Sequence, residues 1–170
     1  MSYEGTYAPK LVTAQIGLPK TPLGVDVTIP GLPQSYSFPY TISGRAADGF
    51  FTKALAEDTV SMITGAEGNT QLVLNHNESG NFTITVHHGT RACRLFSLLF
   101  KAQRLIGSGQ LPPFTFPVHY RDLSCTPPET HTGFNCMIMR DPDISFGASV
   151  GTVVWGFVSA TIVSNLSSRV

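Results

Sequence analysis

Apolar and polar residues alternate strictly over residues 82–87, where Phe, Ile and Val are interleaved with Thr and His. Alternation with a period of two predicts a β-strand with one buried and one open face. Other runs rich in apolar residues, with less regular alternation, predict further strands at residues 40–43, 50–56, 60–64, 70–75, 114–121, 134–140 and 151–163. Gly- and Asn-rich segments between these runs, such as residues 65–69 and 78–81, predict turns. Residues 125–133, which contain two adjacent prolines, predict a loop.

One segment has helical periodicity instead. Over residues 90–106 an apolar stripe recurs at every third or fourth position, through Ala92, Leu95, Phe96, Leu99, Ala102 and Ile106. Thr90 is a suitable N-cap, and Gly107 is expected just past the helix end. We expect the stripe to cover one face of a sheet. The elements together predict a mainly β (α+β) domain, with two packed antiparallel sheets forming a sandwich or barrel-like core and one flanking helix.

The first 39 residues differ from the rest because six prolines interrupt them. Proline lacks a backbone donor, so we expect this segment to have no ordinary place in a sheet ladder. Its Val, Ile and Leu side chains nevertheless need cover. The chain is therefore divided into a Pro-rich extended arm, residues 1–39, ordered mainly by neighbouring copies, and a β domain, residues 40–170.

The low charge content argues against some classes of function. Only 13% of the 170 residues are charged and the net charge is zero, against about 25% charged residues in typical soluble domains. There is no basic surplus for nucleic-acid phosphates or an anionic membrane surface. No apolar run reaches the roughly 18 residues of a membrane span. The first ten residues lack a signal-peptide pattern, so we expect a protein made in a cytoplasm.

Catalytic chemistry finds little support. His87 and His88 are adjacent on a strand and point to opposite faces, so they are poorly placed to share a metal. Three cysteines, Cys93, Cys125 and Cys136, show no metal spacing or nucleophile signature and are expected to be reduced thiols. We therefore predict no catalytic, cofactor or metal site, and a protein that is not an enzyme.

Five segments in a fixed order carry a resemblance to bacteriophage tail tube proteins, which are related in fold to type VI secretion tube proteins. Four of them are residues 48–53, 64–68, 81–86 and 116–123. The fifth is the candidate family motif Pro142, Asp143, Ile144, Ser145, Phe146, Gly147 and, farther on, Trp155. The chain departs from the family in its longer arm and in Ala148 and Ser149, where an acidic residue is expected.

The resemblance implies a structural subunit that assembles into stacked, six-membered rings around a DNA conduit. A hairpin and the termini would bridge neighbouring subunits, and strands 51–56 and 60–64 are the candidate hairpin. The implied partners are further copies of the chain and sheath, baseplate and tail terminator proteins. DNA would pass without specific binding, and no membrane is involved. The implied location is the virion tail, with assembly in the host cytoplasm.

A lumen through which DNA passes should not bind phosphates, so its wall is expected to be neutral or acidic. The candidate lumen-facing residues are Glu57, Asp58, Glu67, Thr83 and Thr85. For the three acids, the alternative is that they are solvated turn residues. The rival function from another class is a small monomeric ligand-binding β-domain, which would have a concave pocket. An enzyme is the third alternative.

Overall fold

The structure, a computed structural model, describes residues 12–43, 50–124, 126–144 and 151–165. Its strands are β1 (Val12–Ile16), β2 (Tyr40–Thr41), β3 (Phe51–Leu55), β4 (Val60–Thr64), β5 (Thr70–Leu74), β6 (Gly80–His87), β7 (Phe116–Asp122), β8 (Glu129–Ile138) and β9 (Thr152–Asn165), and its helix is α1 (Arg91–Gly107). The mainly β class with one helix is thus as predicted. Seven strands form one antiparallel sheet, and β4 and β5 form a second.

The seven-stranded sheet has the order β2-β1-β7-β8-β9-β6-β3 and curls into a barrel-like core. Three strands separate β3 from β7, yet the ring of Phe51 on β3 stacks on the ring of Tyr120 on β7. A flat sheet would keep these residues far apart, because neighbouring strands are about 4.8 Å apart. The inward face carries the apolar residues of the alternating pattern, including Phe82, Ile84 and Trp155, which are fully buried.

Helix α1 closes the interior on one side. Thr90 accepts a hydrogen bond from the Cys93 backbone N–H at 3.3 Å, as expected for the N-cap. Phe96 packs edge-on against Trp155 and Phe157, with centroids 5.6 and 5.3 Å apart. Gly107 is the last helical residue and does not follow the helix as expected; Gly109, with φ 76°, takes the left-handed position.

The N-terminal segment does have a place in the ladder, contrary to the sequence-based prediction. Strand β1 lies between β2 and β7, and its side chains at Val12, Ala14 and Ile16 are buried in this chain's own core. The prediction is wrong because no proline falls between Pro9 and Pro19, so this stretch keeps its backbone donors. Burial of Val27, Ile29 and Tyr36 also comes from the same chain. The division of the chain at residue 39 stays a prediction.

Strand β8 starts at Glu129, within the predicted loop. Its first half was missed because polar or small residues, His131 and Gly133, occupy its inward positions. Gly133 is needed there, since a Cβ would collide with the Phe82 ring. Asn135 has φ 53° and marks a change in the strand's alternation. Nearby Pro117 lies at a bulge of the β7–β8 pair, where the ladder does not need the backbone donor that proline lacks.

Candidate assembly surfaces

The most distinctive surface is the hairpin formed by β4 and β5. These strands pair only with each other among the described strands, in a register that places Met62 opposite Leu72. Every residue from 54 to 74 is exposed. The sequence-based pairing of strands 51–56 and 60–64 was wrong, because β3 pairs with β6 and β4 with β5. The hairpin is therefore a projection, and the described part of its own chain covers neither of its faces.

The hairpin continues the β3–β6 pair as a ribbon. Ala56 N–H donates to Ser79 O at 2.9 Å, and Asn75 N–H donates to Thr59 O at 2.8 Å, bridging the two pairs. At the tip, Gly65 N–H donates to Asn69 O at 2.8 Å. The turn also needs Gly68, whose φ of 81° suits glycine. Backbone bonding thus defines the projection although side-chain burial does not.

Exposed apolar side chains cover both faces of this hairpin. Met62 is 68% exposed, Leu72 72% and Leu74 65% on one face, and Ile63 is 58% exposed on the other. An isolated two-stranded hairpin is marginally stable in water. Contiguous exposed apolar surface of this kind is typical of interaction sites. The hairpin therefore has the chemistry of an assembly element.

The five candidate lumen residues fall into two places. Glu57 and Asp58 lie between β3 and β4, where a Glu57 carboxylate oxygen accepts from the Asn75 side-chain amide, and Glu67 lies at the hairpin tip. Thr83 and Thr85 lie half-buried on the outward face of β6, opposite the buried Phe82, Ile84 and Val86. The acids and the threonines do not form one surface within the chain. Their position in a lumen stays a prediction.

The outward face of the seven-stranded sheet is almost free of formal charge. Among the described strand residues that point outward, Arg121 is the one with a charged side chain. Thr, Asn and Val occupy most other outward positions, and Val154, Val158 and Val163 are exposed. The helix packs against the inward face, so its cationic side chains lie on the other side of the sheet. This outward face, including Thr83 and Thr85, is the neutral face.

A polar cluster fills the interior at the barrel end where Phe51 stacks. Lys53 Nζ donates to Ser164 Oγ at 2.7 Å, and Ser164 Oγ lies 2.9 Å from His131 Nδ1. His131 Nε2 lies 3.0 Å from a Glu129 carboxylate oxygen. The Glu129 carboxylate can only accept, so His131 Nε2–H is the donor in that contact; in the neutral imidazole Nδ1 then accepts from the Ser164 hydroxyl.

This cluster satisfies polar groups that would otherwise be buried without partners. It borders an open cleft of about 360 Å³ lined by Phe51, Lys53, Tyr120, Glu129 and His131. Sequence reasoning missed the cluster because its members come from β3, β8 and β9. The one sign of the cluster in the sequence is that polar residues stand at inward positions of strand β8.

The candidate family motif is divided between environments. Pro142, Asp143 and Ile144 follow β8 in a segment at the surface, whereas Ser145, Phe146 and Gly147 lie outside the described residues. Trp155 is fully buried and belongs to the core. Trp155 is therefore the member of the motif that lies in the core, where its ring packs against the ring of Phe96.

Two of the three cysteines can be placed. Cys93 and Cys136 are free and buried, as expected for reduced thiols, and Cys125 lies outside the described residues. Desolvation by burial raises the pKa of Cys136. Within the described ranges no three His, Cys, Asp or Glu side chains group as metal ligands. No helix in the described part of the chain is long and apolar enough to cross a membrane.

Comparison with known proteins gives a likeness in fold. No protein-family model and no curated protein matches the chain. A chain of the sheath–tube complex of PVC, an extracellular contractile injection system, in its extended state is similar, with TM-score 0.55 and 11% identity over 96% of this chain and 94% of that one. A chain of the anti-feeding prophage cap, a tube terminating cap, is similar with TM-score 0.50 and 9% identity, covering 94% and 89%. The fold is therefore related to that of contractile injection system components.

Proposed function

We propose that this protein is a structural, non-enzymatic subunit of a phage-tail-like tube, assembling with copies of itself into stacked rings of six. The observation that carries the proposal is the β4–β5 hairpin, which exposes apolar residues such as Met62 and Leu72 on a projection from the barrel. Burial of this surface between copies would remove it from water and stabilise the assembly. The likeness in fold to chains of a sheath–tube complex and a tube cap supports the same function.

In the proposed tube, the neutral face lines the lumen. A wall with little positive charge lets DNA pass, because phosphates bind where Lys and Arg displace counterions. Sheath, baseplate and terminator proteins are the proposed partners at the outside and the ends. The proposed place of the protein is the tail of a virion, and assembly takes place in the host cytoplasm.

Sedimentation velocity over a concentration series, with electron microscopy of the same samples, tests this function. We expect rings at moderate concentration and tubes at high concentration. A hairpin variant, Met62→Ser with Leu72→Ser, should shift the species toward monomer. The matched control is Leu23→Ser, which changes a loop residue that is 91% exposed. Monomer at every concentration for the unchanged chain would contradict the proposal.

The open cleft favours a second candidate, a small monomeric ligand-binding β-domain. Its lining combines the aromatic rings of Phe51 and Tyr120 with the charged groups of Lys53 and Glu129. Such a mixture of apolar walls and a few polar groups is common in small-molecule sites. A monomer in sedimentation that gains thermal stability from a small-molecule library would favour this candidate over the tube.

A further inference from the structure

The charged residues of the hairpin region are all acidic. Residues 56–79 contain four acidic side chains, Glu57, Asp58, Glu67 and Glu78, and no Lys or Arg. Asp58 and Glu67 are both exposed and lie beyond opposite ends of strand β4. The chain as a whole has no net charge, so an equal positive charge resides elsewhere.

Helix α1 carries the opposite charge. All of its exposed residues before Gly107 are basic, namely Arg91, Arg94, Lys101 and Arg104, and the helix contains no acidic residue. Arg91 is held in place by the N-terminal segment: its Nη2 donates to Ser35 O at 3.0 Å and its guanidinium lies 5.0 Å from the Tyr36 ring centroid.

The two charged surfaces do not meet each other within the described part of the chain. Among the described residues the ion pairs are Lys20–Asp26 and His131–Glu129, and neither involves the hairpin or α1. The hairpin is exposed from residue 54 to residue 74, so it does not lie against its own helix. A contact between the two surfaces therefore requires two copies.

The hairpin and helix α1 also match in length and in apolar content. Asp58 and Glu67 bracket a five-residue strand, a length of roughly 20 Å with its flanking residues. From Arg91 to Arg104 the helix rises roughly 20 Å. The half-buried Leu98 and Leu105 lie on the helix between its basic residues, where they offer apolar surface to side chains such as Met62.

We propose that the β4–β5 hairpin of one copy docks along α1 of the next copy, acids against bases and apolar residues against Leu98 and Leu105. This contact joins two different surfaces of one chain, so it leaves both surfaces free at the ends of a pair and propagates until a ring closes. The interface rests on the proposed assembly function and identifies which surfaces carry it.

Charge reversal on each side tests the contact. The helix variant is Arg94→Glu with Arg104→Glu, and the hairpin variant is Asp58→Lys with Glu67→Lys. Each alone places like charges across the contact and should raise the concentration for half-assembly about tenfold or more. In a mixture, a ring in which the two variants alternate has opposite charges at every contact, so the mixture should assemble nearly as well as the unchanged chain. Circular dichroism melts show that each variant is folded.

Controls carry the same charge changes elsewhere. Lys20→Glu with Arg140→Glu, and Asp26→Lys with Asp143→Lys, should assemble as the unchanged chain does. Assembly of the helix variant at the unchanged concentration overturns the hairpin–helix contact but leaves the tube function intact. An unchanged chain that stays monomeric at low salt overturns both. A third outcome is that the unchanged chain binds DNA in a salt-sensitive way and that the helix variant loses this binding but still assembles. This outcome would identify α1 as a nucleic-acid-binding surface and would also overturn the contact.

Discussion

The ring of Phe51 on β3 stacks on the ring of Tyr120 on β7, with centroids 4.4 Å apart and planes inclined by 16°. This contact joins the edge strand β3 to β7, from which three strands separate it in the sheet, and so holds the sheet in its curled, barrel-like shape. Phe51→Ala should lower the free energy of unfolding by about 1–3 kcal/mol, less than a fully buried phenylalanine because the ring is half-buried. Urea unfolding measures the change. Phe134→Ala, at an exposed ring, is the control and should cost less; equal losses would refute the fastening role.

The packing of α1 gives a second prediction. Leu99 lies on the buried face of α1 and is fully buried. Leu99→Ala should therefore lower the free energy of unfolding by about 2–5 kcal/mol through lost burial and a cavity. Leu23→Ala, at an exposed loop residue, should lie within about 0.5 kcal/mol of the unchanged chain. Denaturant unfolding compares the two. A cost near zero for Leu99→Ala would place the wrong face of α1 against the sheet.

The position of β1 reverses an expectation drawn from the prolines. If the first 38 residues were an arm held by neighbours, removing residues 2–38 would leave a folded monomer. Because Val12, Ala14 and Ile16 are core residues, we expect the truncated chain to lose cooperative unfolding. Thermal melts followed by circular dichroism test this, with the full chain as the control. A cooperative transition in the truncated chain would instead support the interpretation of these residues as an arm held by neighbouring copies.

Cys136 offers a test by pH. Burial raises the pKa of its thiol, so the folded chain keeps the proton at a pH where the unfolded chain has begun to lose it. Its contribution to stability is therefore present below the unfolded-state value of about 9 and declines as pH rises above it. Cys136→Ala should flatten this decline between pH 8 and pH 10 in urea titrations. A decline of the same slope in both chains would contradict the assignment.

The neutral face predicts how an assembled tube treats DNA. Thr85→Lys adds a cation to the outward face of β6, and it should leave ring formation intact while slowing DNA passage, more strongly at low salt. Thr85→Gln is the neutral control. DNA release from assembled particles, followed by dye fluorescence, measures the effect. Equal release rates at low salt would exclude this face from the lumen wall.

Elements with a strong period could be predicted, and elements defined by distant partners could not. Strand β6 and helix α1 follow from local spacing of apolar residues, because one chain segment determines which face is buried. The pairing of β3 with β6, across the whole hairpin, depends on contacts far apart in sequence. The inward polar position at His131 conceals the first half of strand β8 from a pattern of apolar and polar residues, because its contacts with Ser164 and Glu129 become evident only in three dimensions.

The ribbon that joins the hairpin to the barrel has a mechanical consequence. Backbone bonds in an antiparallel pair run perpendicular to the strands, and they continue from β4–β5 through Ala56 and Ser79 into β3–β6. A pull on the tip along the ribbon loads its two strands in parallel and reaches the barrel as shear on the long β6–β9 ladder, whose bonds share the load, whereas a pull across the ribbon separates its strands one bond at a time. The protein should therefore resist a pull along the projection far better than a sideways pull on its tip.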